Sequence, residues 1–116
     1  MSSDQEGNRD KDLSTRVNAS RLPDYIGQNV RLPCRILKVD GAQITVETSD
    51  GGQVTVSVLP NTDISDPFLE IIGKVLTPTS VQMFACVKMG SELDMKLVND
   101  TIELIHDPRF YQKMFR

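Results

Sequence analysis

The sequence predicts an all-β domain, a five-stranded barrel followed by a C-terminal α-helix. From position 29 onward, apolar and polar residues alternate with the period of two that is typical of strands. Turn residues, chiefly Gly, Pro, Asp and Asn, interrupt this alternation at short intervals. Near the C-terminus the apolar spacing changes to that of a helix. Five alternating strands in a chain of 116 residues favour a closed barrel, because closure removes the exposed edges of an open sheet.

A polar tail and a short lead-in precede the first strand. Residues 1–13 are polar and lack apolar spacing, so we expect a disordered tail there, with the barrel domain covering residues 14–92. In the lead-in, Asn18 is a candidate cap for a short turn, and Pro23 prevents a long regular helix. Three apolar side chains are expected to anchor the lead-in onto the barrel: Leu22, Tyr25 and Ile26.

The five strands follow in order, and the longest break lies after the third. The first three are predicted over residues 30–36, 44–48 and 54–58, with tight turns at Asp40-Gly41 and at Asp50-Gly51-Gly52. A connector rich in Pro, Asp and Asn spans residues 60–67, and the last two strands are predicted over residues 68–76 and 80–89. Among small barrels the OB-fold has five strands and its main break at this point, so the sequence predicts an OB-fold barrel.

Two positions inside the strands predict irregularities. Pro33 donates no ladder hydrogen bond, so this part of the first strand is expected at an edge or a bulge. Gly73 lies in the middle of the fourth strand, where a bend, a bulge or a close backbone approach is expected. In the fifth strand, alternation predicts one shared face for Val81, Met83, Ala85, Val87 and Met89.

The helix, predicted over residues 93–107 with Ser91 or Asp94 as its cap, has an unusually wide apolar face. At about 100° per residue, Val98, Ile102 and Ile105 fall on one line. Asp94, Leu97, Thr101 and Leu104 lie beside that line, whereas Lys96, Asn99, Asp100, Glu103 and His106 share the opposite side. The apolar arc spans about 160°, but a helix resting on one core needs only a little over about 100°. The extra width indicates a second surface to cover, although a terminal helix well buried in its own domain fits the same pattern.

The C-terminal tail, residues 108–116, concentrates large apolar side chains after Pro108, which ends the helix. These side chains are Phe110, Tyr111, Met114 and Phe115. Large apolar side chains in a free tail are seldom left in water, so the tail is expected either to contact a partner, which we favour, or to fold back onto the barrel.

Composition and motifs argue against several classes of function. The net charge of −3 provides no basic excess for strong autonomous binding to a phosphate backbone. No apolar run approaches the roughly 20 residues of a membrane span, and the N-terminus lacks an apolar signal core. His106 is the single histidine, and no common metal, phosphate-loop or hydrolase motif is present. We therefore expect a non-enzymatic protein without metal or cofactor, in which Cys34 and Cys86 are buried thiols rather than a disulfide.

The main alternative to a structural role is single-stranded nucleic-acid binding on the outer face of the barrel. Such binding requires aromatic rings for base stacking and basic residues for phosphates. Arg31 and Arg35 point outward from the first strand and are the candidate phosphate contacts. The other outward residues of the first three strands include no aromatic ring, so a solvated face is the simpler interpretation: Thr45, Glu47, Thr55 and Ser57.

Three strings, taken in order, are similar to those of a known family: Arg16-Val-Asn-Ala, Ile71-Ile-Gly-Lys-Val and Ile105-His-Asp-Pro-Arg-Phe-Tyr. Over about residues 15–111 the chain resembles the small subunit of replication protein A, the heterotrimeric single-stranded DNA-binding complex of eukaryotes. The resemblance implies an OB-fold with a mainly structural role in DNA replication, repair and recombination in the nucleus. It also implies that the C-terminal helix joins helices of the large and middle subunits in a three-helix bundle, while single-stranded DNA is bound mainly through the complex.

By position, the resemblance makes six helix residues candidate bundle contacts: Leu97, Val98, Thr101, Ile102, Leu104 and Ile105. Phe110 and Tyr111 of the tail join them as candidate partner contacts. A variant of this hypothesis is the small OB subunit of a telomere-capping trimer, which is built on a similar plan. The string that ends at Tyr111 favours replication protein A.

Overall fold

The computed structural model describes residues 15–107, so the predicted tails 1–13 and 108–116, with Phe110 and Tyr111, lie outside the described residues. Within that range there are six strands: β1 (Thr15–Arg16), β2 (Asn29–Asp40), β3 (Gln43–Thr48), β4 (Gln53–Ser57), β5 (Phe68–Thr77) and β6 (Ser80–Lys88). A 3₁₀ helix (Ala19–Tyr25) separates β1 from β2, and α1 (Met95–Ile105) follows β6. The five predicted strands correspond to β2–β6. No helix between residues 15 and 107 is long and apolar enough to cross a membrane.

Strands β2–β6 close into a barrel. Their hydrogen-bonded order is β1-β2-β3-β4-β6-β5, and β5 pairs back onto β2. The pairs β2–β3, β3–β4, β5–β6 and β2–β5 are antiparallel, whereas β4–β6 is parallel. Tight hairpins join only antiparallel neighbours, so β4 cannot be followed directly by its parallel neighbour β6. The long connector and strand β5 lie between them in the chain. The predicted five-stranded barrel with its main break after the third long strand is confirmed.

The core lies inside the barrel because alternate residues of each strand point inward. Fourteen buried apolar residues form one cluster, mostly from the barrel strands and with two from the lead-in. They are Val17, Leu22, Val30, Leu32, Cys34, Ile44, Val46, Val54, Val56, Leu69, Ile71, Val75, Val81 and Met83. The period-two pattern of the sequence therefore identified most of this core. Cys34 and Cys86 are both free thiols, as expected, but only Cys34 is buried, whereas Cys86 is partly exposed.

Pro33 lies where β2 has a neighbouring strand on one side only. The pairing of β1 with β2 ends at Arg31, and that of β3 with β2 begins at Cys34. On the other side, Pro33 is opposite Glu70 of β5. The missing N–H of Pro33 thus falls in the gap between β1 and β3, which agrees with the predicted edge position.

Gly73 lies at the closest approach between β5 and β6. A Cβ atom added at Gly73 would lie 2.2 Å from the backbone O of Gln82, so no larger residue fits without a shift of the backbone. The register also slips here, since Ile72 pairs with Ala85 but Gly73 pairs with Met83, which leaves Phe84 as the extra residue. The predicted bulge and close backbone approach are both confirmed.

The bulge at Phe84 reverses the inward and outward positions in the second half of β6. Val81 and Met83 are buried, but Ala85 and Val87 are exposed, and Cys86 packs against the core instead. The prediction that Ala85 and Val87 share the face of Val81 is therefore wrong. One extra residue in a strand of period two moves every later side chain to the opposite face.

The start of the lead-in is fixed by a carboxylate from a distant turn. Asp50, in the β3–β4 hairpin turn, accepts hydrogen bonds from the backbone N–H groups of Ala19, at 3.2 Å, and Ser20, at 3.0 Å. These are the first two residues of the 3₁₀ helix, whose N–H groups have no partner within the helix. Asn18 makes no side-chain cap hydrogen bond, so Asp50 performs the capping that Asn18 was expected to perform.

The remainder of the lead-in packs on the barrel through fewer residues than expected. Leu22 is fully buried and Tyr25 is half-buried, in agreement with the prediction. The prediction for Ile26 is wrong, because its side chain is largely exposed. Ile26 instead forms a backbone bridge with Val75 at the point where the lead-in turns into β2.

Candidate partner-binding face of the C-terminal helix

Helix α1 has well-defined ends. Asp94 caps its N-terminus, since one oxygen of its side chain accepts a hydrogen bond from the backbone N–H of Leu97 at 3.0 Å. Of the two predicted caps, Ser91 and Asp94, the second is therefore the one that the helix uses. At the other end, the backbone N–H of His106 bonds to the carbonyl of Ile102 at 3.2 Å.

One face of α1 lies over the outer surface of β2 and β5. Ile102 is fully buried there and Val98 is half-buried. A cleft of about 190 Å³ between the helix and the sheet is lined on the helix side by Leu97, Val98, Thr101 and Ile102. Its other side is formed by Arg16, Pro33, Glu70 and Met89. The outer side of β2, which the sequence pattern leaves to solvent, is thus partly covered by the helix.

Polar residues of α1 that the sequence pattern places opposite the apolar arc also face the body of the domain. Asn99 accepts hydrogen bonds from Asn18 at 2.8 Å and from Ser49 at 2.9 Å. Glu103 accepts one from Asn18, also at 2.8 Å, and pairs with Arg21 at 2.5 Å. The side of α1 that packs on its own domain is therefore partly apolar and partly polar. It lies at the boundary between the apolar arc and the opposite, polar side of the helix.

The remaining part of the apolar arc is exposed. We define the outer strip as Leu97, Thr101, Leu104 and Ile105. Leu97 is 62% exposed, Leu104 is 49% exposed and Ile105 is 37% exposed, and Thr101 is also exposed. Three large aliphatic side chains on a single helix of 11 residues thus contact water in the isolated chain.

The structure brings the six predicted helix contacts together on α1 but divides them between two surfaces. Four belong to the outer strip. Ile102 is fully buried against its own barrel, and Val98 lies at the border between the two surfaces. Because it is fully buried, Ile102 is unavailable to a partner in this conformation.

The two candidate phosphate contacts already have carboxylate partners. Arg35 Nη2 lies 2.7 Å from Glu47 Oε1 on the neighbouring strand β3. Arg31 Nη1 lies 3.5 Å from Glu70 Oε1, and Arg16 Nε lies 2.6 Å from Glu70 Oε2. Glu70 is buried beneath α1, so its charge requires the two arginines. Both predicted cations therefore have a carboxylate partner within the chain, although Arg31 shares Glu70 with Arg16.

Sequence reasoning missed Glu70 and Asn18, although both are buried polar residues. Glu70 lies between Leu69 and Ile71, which are buried in the barrel core, and no local pattern shows that a helix covers the opposite face of β5. Asn18 had the composition of a turn cap, and its contacts are 81 and 85 residues away along the chain. Between residues 15 and 107, no group of three or more His, Cys, Asp or Glu side chains could hold a metal ion.

The chain is similar in sequence to known proteins. The family model of replication factor A protein 3 matches residues 9–111. Replication factor A protein 3 of Schizosaccharomyces pombe is 28% identical over 91 residues, which are 78% of this chain and 86% of the relative. A 14 kDa subunit of replication protein A from Arabidopsis thaliana is 26% identical over 88 residues, which are 76% of this chain and 82% of the relative.

Solved structures show the same fold. A chain in the structure of U. maydis replication protein A bound to single-stranded DNA has a TM-score of 0.77 and 30% identity, covering 83% of this chain and 93% of that one. A chain of the S. pombe Stn1–ten1 complex has a TM-score of 0.66 at 14% identity, covering 80% of this chain and 91% of that one, which is a likeness of fold alone. These neighbours identify the barrel as an OB-fold, and with the family model they show that the chain belongs to the replication factor A protein 3 family.

Proposed function

We propose that this chain is the assembly subunit of a heterotrimeric single-stranded DNA-binding complex of the replication protein A type. Its outer strip on α1 would pack against helices of the large and middle subunits in a three-helix bundle. The complex would work in the nucleus in DNA replication, repair and recombination, and single-stranded DNA would be bound mainly by the other subunits. Family membership and the exposed outer strip together support this proposal.

The outer strip is the single observation on which the docking proposal rests. Helix α1 already has a packed face, and although Leu97 lines the cleft beside that face, it remains 62% exposed. Its own domain therefore leaves much of Leu97, Leu104 and Ile105 uncovered. Full burial of a leucine or isoleucine side chain contributes roughly 1.5–3 kcal/mol, and these three are already partly buried. Covering them would supply on the order of a few kcal/mol, which favours a larger interface that includes residues from the rest of the helix or from the tail.

The barrel surface supports an assembly role more than direct DNA binding. Arg31 and Arg35 are paired with carboxylates, and the chain has an overall net charge of −3. Phe84 is the exposed aromatic residue of the described barrel strands, and it lies at the β6 bulge rather than in a row of stacking rings. A surface of this kind provides neither the cations nor the stacking platform of single-strand binding.

The test is complex formation between the full chain and a purified middle subunit of a replication protein A complex, measured by size exclusion with light scattering. The wild-type chain is expected to form a one-to-one complex. The double variant Leu97→Asp, Leu104→Asp is expected to elute alone, because each substitution would place a carboxylate in an apolar bundle. Ile102 is unsuitable for this test, since its replacement would disturb the domain itself.

Leu76→Asp is the matched control. Leu76 is 46% exposed, close to the value for Leu104, but it belongs to β5 and lies six residues beyond Glu70, the β5 residue that lines the cleft under α1. This variant should retain the complex, and circular dichroism should show that all variants are folded. A complex that survives the double substitution would overturn the docking proposal.

The telomere-capping alternative is an outcome of the same experiment. S. pombe Ten1 has a TM-score of 0.66 to this chain at 14% identity, so the likeness concerns the fold alone. A complex with a Stn1-type partner, together with none with the middle subunit, would assign the chain to that alternative.

A further inference from the structure

A group of polar side chains ties α1 to the lead-in and to the β3–β4 hairpin. We name it the polar latch and define it as Asn18, Arg21, Ser49, Asn99 and Glu103. Its centre is Asn18, which is 1% exposed. The Nδ2 atom of Asn18 donates to Asn99 Oδ1 and to Glu103 Oε2, both at 2.8 Å, and its Oδ1 accepts from Ser20 Oγ at 3.0 Å. The amide N–H groups of this buried side chain are thus directed at α1.

The other members of the polar latch hold the same two helix residues from different elements. Arg21 of the 3₁₀ helix donates to Glu103, with Nη2 and Oε1 2.5 Å apart. Ser49 of the β3–β4 hairpin donates to Asn99 at 2.9 Å. Hydrogen bonds from Arg21 and from Asn18 hold the pKa of Glu103 below its usual value, so this carboxylate stays charged and its hydrogen bonds are charge-assisted.

The latch continues along one stripe of α1. Asn99 and Glu103 are one turn apart, and the next residue of the stripe, His106, donates from Nε2 to the backbone O of Arg16 at 2.9 Å. The stripe spans about 10 Å of the helix axis, since His106 follows Asn99 by seven steps along the chain of about 1.5 Å each. Tyr25 stacks edge-to-face on His106, with ring centroids 5.9 Å apart.

These polar contacts restrict the helix in a way that its apolar contacts do not. Burial of Val98 and Ile102 depends on area and is not directional, so it tolerates some rotation of the helix about its axis. Hydrogen bonds weaken steeply when their angles change, and the latch has several of them on two successive turns. Asn99 lies about 160° around the helix from Leu97, so contacts at Asn99 keep Leu97 at the outer edge of the cleft, where it is 62% exposed.

We propose that the polar latch sets the rotation of α1 about its own axis, and that Asn18 is a positioning residue for partner docking. The docking half of this inference rests on the proposed function. A rotated helix would leave the buried Nδ2 of Asn18 without a partner, which is costly, and would turn the outer strip partly toward the barrel. With the latch intact, the outer strip is already presented in one orientation before a partner arrives, which lowers the entropic cost of binding.

The first measurement concerns the free, full-length chain and needs no partner. Residual dipolar couplings of backbone amides report the orientation of α1 relative to the barrel. Asn18→Ala is expected to change the couplings of α1 while those of β2–β6 remain constant. Because Asn18 is buried, Glu103→Ala is the second variant, at a side chain that is 44% exposed and therefore easier to replace without unfolding.

The second measurement is the affinity of the same variants for the purified middle subunit of a replication protein A complex. Asn18→Ala and Glu103→Ala are each expected to weaken binding by about tenfold or more, although neither residue belongs to the outer strip. Val54→Ala is the matched control, because it removes buried methyl groups from β4 without touching the latch. It should lower the stability of the barrel and leave the affinity within about twofold of wild type.

The outcomes separate the latch from the proposed function. Couplings of α1 that are unchanged in both latch variants would overturn the latch. Changed couplings with wild-type affinity would overturn the positioning role of Asn18. The positioning role would also be overturned if Val54→Ala lost as much affinity as the latch variants for the same loss of stability. A wild-type chain that forms no complex would overturn the proposed function, while the dipolar couplings would still decide whether the latch exists.

Discussion

At the scale of single residues, Asp50 joins parts of the chain that are distant in sequence. Its carboxylate accepts hydrogen bonds from Thr48 Oγ1 and from the backbone N–H groups of Ala19, Ser20 and Gly52. Partial burial raises the pKa of Asp50, but these hydrogen bonds outweigh burial and leave the pKa below its usual value. The ionised form is therefore the one that stabilises the lead-in.

The pH dependence of stability tests this role of Asp50. Because its pKa is lower in the folded state than in the unfolded state, where it is about 3.9, the unfolded state binds more protons in this range. The stabilisation is complete well above pH 4 and is lost as the pH falls toward the folded pKa. We expect Asp50→Asn to reduce the free energy of unfolding near neutral pH by on the order of 1 kcal/mol, because a neutral amide replaces a charged acceptor whose hydrogen bonds are stronger.

Urea unfolding between about pH 3 and pH 6 measures this difference. Since an amide does not titrate, the loss of stability on acidification should be shallower in Asp50→Asn than in the wild type. The same substitution at Asp40, in the β2–β3 hairpin, controls for the removal of one negative charge. Parallel pH profiles for Asp50→Asn and the wild type would show that Asp50 does not cap the lead-in.

At the scale of elements, the structure divides the apolar arc of α1 between two surfaces, and truncations should distinguish them. Ile102→Ala is expected to reduce the free energy of unfolding of the isolated chain by about 2–5 kcal/mol, because it creates a cavity under the helix. Leu104→Ala is expected to change it by less than about 1 kcal/mol, because that side chain is half exposed.

Chemical unfolding of the two single variants measures this contrast in domain stability. Leu104→Ala should weaken the complex with the middle subunit more than it weakens the domain. Equal losses of domain stability for Ile102→Ala and Leu104→Ala would mean that α1 does not lie on the barrel with the rotation described above.

The elements also show how far sequence reasoning extends. The alternation of apolar residues determined the strands and most of the core, and Gly73 indicated the bulge between β5 and β6. The extra residue at Phe84 was not predicted, because a bulge is defined by the partner strand and not by the bulged strand alone. The width of the apolar arc on α1 indicated two surfaces, but its division at Ile102 depends on contacts with Pro33 and Glu70.

At the scale of the whole molecule, long-range polar contacts decide what the barrel presents to solvent. Glu70 is opposite Pro33 in the sheet and is covered by α1, so it needs Arg16 and Arg31 as partners. A period-two pattern states only that these residues face outward from the barrel. It does not indicate that the helix covers this surface. Whether Arg31 and Arg35 are free to contact phosphate was therefore harder to predict from sequence than the core was.

The last prediction concerns DNA binding by the isolated chain. Arg31 and Arg35 are paired with Glu70 and Glu47, so a phosphate would have to compete with a carboxylate at each arginine. Each stacked base contributes roughly 1–3 kcal/mol, and the described part of the barrel offers no row of aromatic rings to supply it. We expect the isolated chain to show no tight binding to a fluorescent single-stranded oligonucleotide, even at low salt, and the double variant Arg31→Ala, Arg35→Ala to behave like the wild type.

Fluorescence anisotropy over a salt series, with Lys74→Ala as a control for loss of one exposed cation, makes this measurement. Strong binding that weakens with salt and disappears in the double arginine variant would restore the autonomous DNA-binding hypothesis. It would also mean that the Arg35–Glu47 pair opens readily, as an exposed ion pair worth less than about 1 kcal/mol can do. The Arg31–Glu70 pair is different, because Glu70 is buried and its other partner, Arg16, would have to neutralise it alone. If such binding occurs, we expect the single variant Arg35→Ala to lose more of the DNA affinity than Arg31→Ala.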